Sequence, residues 1–328
     1  MQLAIIGATG MLGHHAAEAA VAAGHELTVV HRATTALDRL KPLRFRAAVA
    51  DLDDRESLRL ALADVDAVIN CAGYYPTVPR PWHEDVRLGL AQMENFYGAC
   101  EGRKLTKIVY LGGAIALRRH PRGEPGDETL EYPGEPENKN PYLQVKWAMD
   151  HQARDQARAG MPVVIGIPSM TFGEHDHGPT TGRLIVEVAK GTLPVYVRGK
   201  RNVIYAGDAG RGLVQVCESG RPGERYLLTG TNITMDDLIA AISRIAKRPA
   251  PKAIPLPVAK VVSKLQTWRY RYLKGPLPRV DASAIAVMSA GQFLSGAKAE
   301  KELGFKAAVG LDEAISRALG WFKQAGYV

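Results

Sequence analysis

The chain has little cysteine, no long apolar run and no tract of low complexity. Its three cysteines, Cys71, Cys100 and Cys217, are odd in number and far apart, which argues against a disulfide framework and against a thiolate metal site. A reducing, cytoplasmic setting is the expectation. No uninterrupted apolar stretch approaches the roughly 20 residues needed to cross a bilayer, and the first strand begins at once without a basic leader, so no membrane partner is expected. Acidic residues are the minority sign, 34 Asp and Glu against 42 Lys and Arg, for a net charge of +8. The basic residues read as spread along the chain with no block resembling a nucleic-acid arm. The charge therefore favours anionic or phosphate-bearing small molecules over nucleic acid. No internal repeat is evident, and 328 residues suffice for one large or two modest domains.

What is present is concentrated near the start. The apolar run Leu3-Ala4-Ile5-Ile6 meets three glycines, Gly7, Gly10 and Gly13, and passes through Ala8, Thr9, Met11 and Leu12 into an alanine-rich segment. This reads as a buried parallel strand, a tight turn and a helix. Gly7 lets the backbone reverse, Gly10 removes a side chain where a pyrophosphate would approach, and Gly13 lets helix and strand pack closely. The helix N-terminus offers free N–H groups and partial positive charge. The spacing is G-x-x-G-x-x-G, and a turn of this kind cradles a dinucleotide.

The rest of the first half alternates strand and helix. Glu26 to Val30 is a second strand ending at His31-Arg32, with no acidic residue from Val29 to Thr34 to take the ribose hydroxyls of NAD. Arg32, with His31 beside it, leans the cofactor towards NADP over NAD by pairing with a 2′-phosphate. Ala47 to Ala50 closes in Asp51-Leu52, and Asp53 to Leu58 opens a capped helix. Ala67 to Asn70 runs into Cys71-Ala72-Gly73 and a loop from Tyr74 to Pro81, where α/β sheets bind ligands. Helix follows from about His83 to Cys100, then strand from Lys107 towards Gly112 and Gly113. Residues 114–140 form a long, locally basic loop, the kind that serves as a lid or a solvated surface.

Asn140 and Pro141 announce a helix that carries Tyr142 and Lys146. Four residues apart on a helix, the two lie on one face, so the ammonium is placed to lower the phenol pKa towards working pH and to reach a ribose. Tyr142 thereby becomes a proton donor for a carbonyl receiving hydride. The same spacing at Tyr196/Lys200 and Tyr270/Lys274 lacks that context: the first is strand-like, the second far beyond the nucleotide fold. Val163 to Ile167 is a sixth strand ending at Pro168. Asn202 to Tyr205 is expected to return to the sheet, followed by helix to Glu218, strand at Arg225 to Leu228 and helix from Met235 to Lys247. His175-Asp176-His177 reads as a polar loop, with nothing completing a metal ligand set. Trp268 to Tyr272 reads as a packed helix face with solvated charges rather than a nucleic-acid contact.

Taken together, the glycine triplet, Asp51-Leu52, Asn70 to Gly73, Tyr142 with Lys146, and Pro168 to Gly173 resemble an extended short-chain dehydrogenase/reductase. Residues 202–212 and 295–305 are similar to later segments of members such as dihydroflavonol reductases and nucleoside-diphosphate-sugar epimerases. The resemblance implies an α/β fold, a Rossmann doubly wound parallel sheet with a smaller mixed C-terminal substrate domain. Residues 1–168 and about 201–218 would bind the dinucleotide, and about 169–200 and 219–328 the substrate. It also implies that Asp51 and Leu52 hold adenine, that Cys71, Ala72 and Gly73 line the cleft, that Lys146 binds the nicotinamide ribose, and that Pro168, Ser169 and Met170 flank the nicotinamide. The family usually ends its fifth strand with a serine or threonine that hydrogen-bonds the reacting oxygen, and this chain has Leu111-Gly112-Gly113-Ala114 there. Losing such a donor commonly costs roughly two to three orders of magnitude in rate. Tyr74, Tyr75, Thr77, Ser169 and Thr171 are the candidate replacements, and Gly113 also offers room for a bulky substrate. The expected activity is carbonyl reduction or alcohol oxidation on a small molecule. The alternatives are sugar-nucleotide epimerisation with tightly held NAD, for which Arg183, Arg201 and Arg211 would meet the diphosphate, and a non-catalytic NADP sensor. A homodimer is compatible with the resemblance.

Overall fold

The computed structural model describes residues 1–78, 80–273 and 291–328. Strand and helix alternate as β1 Gln2–Ile6, α1 Met11–Ala22, β2 Glu26–His31, β3 Arg46–Val49, α2 Arg55–Ala61, β4 Ala67–Asn70, α3 Trp82–Cys100, β5 Lys107–Leu111, α4 Pro141–Arg158 and β6 Val163–Pro168. There follow β7 Met170–Phe172, α5 Arg183–Lys190, β8 Val195–Val197, β9 Lys200–Tyr205, α6 Ala206–Ser219, β10 Arg225–Leu228, β11 Thr231–Thr234, α7 Met235–Ala246, β12 Lys252–Ile254, α8 Leu256–Leu273, α9 Ala297–Leu303 and α10 Leu311–Gln324.

Seven strands form one sheet in the order β10-β6-β5-β4-β1-β2-β3, with every neighbouring pair parallel. The continuous apolar runs at β1, β4 and β6 are buried on both faces, as a doubly covered parallel sheet requires. On one face Ala16, Ala17 and Ala20 of α1 share a core with Leu213, Val216 and Cys217 of α6. On the other, Leu58, Met93, Phe96, Val145 and Met149 bring α2, α3 and α4 together. Strand order turns outward in both directions from β1 and β4, which makes the carboxyl ends of those two strands the switch point where ligands bind in such sheets.

Local sequence explains the element that matters most. The Asn140 side chain accepts hydrogen bonds from the amides of Tyr142 (3.0 Å) and Leu143 (3.2 Å), and Pro141 occupies the first helical position, where its missing N–H costs nothing. α2 is capped likewise by Asp54, which accepts from Glu56 and Ser57.

A second cluster of elements lies beyond β6. β7 pairs in parallel with β9, and β9 is antiparallel to β11; β8 and β12 form a separate pair. Phe172, Ile185, Leu238, Ile242, Ile315 and Phe322 form their core. The strand at 202–205, expected to return to the large sheet, belongs instead to this three-stranded sheet, while Arg225–Leu228 takes the edge beside β6. The reading of Trp268 to Tyr272 as a packed face is also corrected: Trp268 is 51% and Tyr272 70% exposed. α8 turns the small Ala259 and Ser263 inward, because small residues allow close approach where bulky ones would not. Among the described residues no helix is long and apolar enough to cross a membrane.

Candidate active site

The candidate residues meet along the carboxyl edge of the sheet. Gly7 has φ +81°, and a Cβ there would come within 3.0–3.2 Å of Cys71 and Ala72. A Cβ on Gly13 would lie 2.2 Å from the Gly7 carbonyl oxygen, so both glycines are demanded by close approach. Gly10 differs. A Cβ there meets only the Gly7 oxygen, at 3.5 Å, and no side chain caps the α1 N-terminus that it begins. The turn is thus tight inside and open outside, as a cradle for an anionic group must be. Arg32 extends exposed from the end of β2, and His31 Nδ1 lies 2.9 Å from the Arg32 carbonyl oxygen. Asp51 follows β3 and accepts from the Asp53 amide at 3.1 Å; the Leu52 carbonyl accepts from Asn95 at 3.0 Å.

One face of α4 closes this edge. Tyr142, Lys146 and Met149 project from successive turns. The Tyr142 ring lies 4.8 Å from that of Tyr75; a Cβ on Gly113 would touch the Lys146 stem at 3.6–3.8 Å; a Cβ on Gly73 would meet the Met149 methyl at 3.1 Å. The Asn70 side chain holds the intervening loop by accepting from the Ala72 amide at 3.0 Å. The glycine turn, the loop after β4 and the Tyr/Lys face are therefore contiguous. At the end of β6, Ser169 is buried and its Oγ has no hydrogen-bond partner among the described residues, which fits a site built for a further polar group.

The electrostatics correct one expectation. Burial, reinforced by the neighbouring Tyr75 hydroxyl, raises the Tyr142 phenol above its ordinary range, opposite to the lowering that the Tyr/Lys pairing predicts. Burial also pulls Lys146 down to about 8 and pushes the Cys71 thiol up to about 12. The sequence supplies the partner but not the desolvation, and desolvation dominates here.

The candidate hydroxyls separate. Tyr74 donates to the fully buried Asp85 at 2.5 Å and is pushed up to about 12, first by burial and then by this bond. Thr171 is buried, with its carbonyl accepting from the Thr181 hydroxyl, and Thr77 is exposed. Only Tyr75 has a ring packed on Tyr142.

Other groupings were not legible in the sequence. His14 and His175 stack at 3.5 Å with 12° between the rings, and His14, Glu18 and His175 place donor atoms within 4.8 Å of one another. Glu18 is already engaged, by His14 (3.4 Å) and by His15 (3.0 Å), and these contacts hold its carboxyl well below the usual range. Parallel rings send their lone pairs side by side rather than towards one ion, so the cluster reads as a latch between α1 and the loop after β7. Of the three arginines, Arg183 pairs with Glu187 (2.8 Å) and Arg211 with Asp208 (2.5 Å), and the buried Arg201 donates to the Lys200 carbonyl (2.7 Å) and is drawn down to about 10, by burial first and by Arg119 second. A polar hollow of about 550 Å³ at the far end of α4, lined by Glu131, Arg154, Arg225 and Lys298, holds charges that neutralise one another and is no rival for the chemistry.

Residues 3–229 match the profile of the NAD dependent epimerase/dehydratase family. The crystal structure of a nucleoside-diphosphate-sugar epimerase from Pseudomonas aeruginosa is 43% identical, with a TM-score of 0.88, over 100% of this chain and 99% of that one. A Synechocystis protein provisionally named dihydroflavonol 4-reductase is 25% identical over 333 residues, 99% of this chain and 95% of its own. A UDP-glucuronic acid 4-epimerase from Bacillus cereus in complex with NAD, 18% identical over 99% of each chain, shares the fold with a TM-score of 0.76.

Proposed function

Because this chain belongs to the NAD dependent epimerase/dehydratase family, we propose that it is an NAD(P)-dependent oxidoreductase of the extended short-chain type that reduces a ketone or aldehyde with Tyr142 as proton donor. The observation that carries this reading is the single face of α4 on which Tyr142 meets Tyr75 and Lys146 meets Gly113. Gly7, Thr9, Gly10, Met11, Leu12 and Gly13 would hold the pyrophosphate, and Asp51 and Leu52 the adenine. Cys71, Ala72 and Gly73 would line the cleft, with Pro168, Ser169 and Met170 beside the nicotinamide. When bound, the nicotinamide supplies or takes up the hydride.

The protein's own part is the proton. The phenol is in its protonated, donor form at neutral pH, and its raised pKa makes it a weaker acid than an ordinary tyrosine. Lys146, titrating near 8, is placed to hold ribose hydroxyls as a cation and to ease the reverse transfer. We assign the role of the missing serine to the Tyr75 hydroxyl, the only candidate whose ring packs on Tyr142, with Tyr74 committed to Asp85. The space at Gly113 and the hydroxyl of Thr171 fall to the substrate side. Arg32 is exposed and has no acidic partner among the described residues, which supports NADP over NAD. Titration with both cofactors tests this: NADPH binds more tightly than NADH, and Arg32→Ala weakens NADPH by about tenfold while leaving NADH little changed. Equal affinities that Arg32→Ala does not alter would remove the NADP assignment.

A second reading is supported by the 43% identity to the Pseudomonas aeruginosa nucleoside-diphosphate-sugar epimerase. It is sugar-nucleotide epimerisation or dehydration with tightly bound NAD. Co-purified NAD with binding of a UDP- or dTDP-sugar favours it; freely exchanging cofactor, no sugar-nucleotide binding and turnover of simple carbonyls favour the reductase.

A further inference from the structure

α8 carries its apolar residues on the outside. Val258, Val261, Val262, Leu265, Trp268 and Tyr272 recur at helical spacing and form one stripe, yet each is exposed, Val261 by 66% and Leu265 by 63%. The face turned to the protein is narrow and small, with Ala259 and Ser263 at its centre. A core helix does the reverse. A contiguous apolar surface of this kind marks a place where something else docks.

The charge around the stripe says what fits. α8 itself carries Lys260, Lys264, Arg269 and Arg271 and no Asp or Glu. On a helical projection Lys264 borders the stripe beside Val261 and Trp268, and Arg269 lies within it. Neither has an acidic partner among the described residues. A second copy of this chain, seated face to face, would set these cations against their own equivalents. An anionic surface would not.

We propose that α8 is a membrane-surface helix that lies flat on a bilayer of anionic headgroups. The Val/Leu stripe enters the boundary between headgroups and acyl chains. Trp268 and Tyr272 sit at that boundary, where amphipathic rings are favoured, and Lys264 and Arg269 face the phosphates. No helix among the described residues is fit to cross a bilayer, so the contact is reversible and peripheral. The proposal rests on α8 alone and is independent of which reaction the Tyr142 site performs.

Co-sedimentation of the full chain with vesicles tests it. Vesicles of phosphatidylcholine containing one third phosphatidylglycerol are expected to bind about tenfold more tightly than phosphatidylcholine alone, and binding weakens with added salt. Tryptophan emission shifts to the blue on binding, and this shift is lost in Trp268→Phe. Leu265→Glu combined with Val261→Glu reduces binding by about tenfold or more, and Lys264→Glu with Arg269→Glu abolishes the preference for anionic lipid. Because all four positions are exposed, the variants are expected to keep the wild-type melting temperature and cofactor affinity. The proposal is overturned by absence of binding to anionic vesicles, or by binding that the stripe variant leaves unchanged. It is equally overturned if the free protein forms a dimer that the stripe variant dissociates, or if Trp268 is already shielded from quenching in solution, since the stripe would then be covered by protein.

Discussion

In the proposed reaction Tyr142 has to keep a proton and Lys146 a charge, and burial acts on the two in opposite directions. The phenol is raised, so it remains an acid at neutral pH; the ammonium is drawn down to about 8, so it is charged below that value and neutral above it. Dinucleotide affinity is accordingly expected to be flat up to about pH 7 and to fall several-fold as pH rises through 8, with the dependence lost in Lys146→Ala. A cofactor titration across this range checks it, and a flat wild-type profile would mean that Lys146 does not hold the cofactor through its charge. The placement of Tyr142 and Lys146 on one face of a capped helix was legible from their four-residue spacing. The Asp85 that holds Tyr74, and the His14 that stacks on His175, were not, because each partner lies in a different element and no local pattern brings them together.

At the level of elements, the end of β5 distinguishes its two glycines. A Cβ on Gly112 would lie 2.9 Å from Ile165 and 3.0 Å from Ile167, whereas one on Gly113 would make ordinary contact with Lys146. Gly112→Ser is therefore expected to destabilise by about 1–3 kcal/mol through overpacking against β6, and Gly113→Ser by much less. Urea unfolding of the two variants measures the difference, and equal losses would contradict this placement of β5. The large parallel sheet was readable because its strands are short, mostly apolar runs separated by helices, of which α2 and α4 carry clear capping residues. The exchange of β9 and β10 between sheets was not. Residues 202–205 and 225–228 are both short and apolar, and the choice depends on which of them meets the open edge of β6. The exposed stripe of α8 escaped for a related reason: periodicity reveals an apolar face but not which side of it the protein covers.

For the molecule as a whole, acid should be the weak direction. Burial lowers His175 to about 4, with neighbouring His14 and His15 adding to the effect, while its unfolded value is near 6.5. The unfolded chain thus takes up a proton that the folded one refuses, and stability falls as pH drops from about 6.5 towards 4, by up to about 1.4 kcal/mol per pH unit for one full proton. Glu18 acts in the same sense at lower pH, since its contribution is present above its unfolded pKa and lost only on further acidification. Denaturant unfolding at a series of pH values should show this slope in the wild type and lose its upper part in His175→Asn; an unchanged slope would mean that the latch is not the acid-sensitive element.

The central claim is that a proton passes through Tyr142 during hydride transfer at the α4 face. Its most direct test is steady-state turnover of NADPH with a panel of ketones and aldehydes, comparing the wild type with Tyr142→Phe. The account predicts turnover that falls by about 10²-fold or more in kcat, with NADPH affinity kept. Cofactor-loaded protein that turns over none of these substrates, or a Tyr142→Phe variant as fast as the wild type, would contradict it.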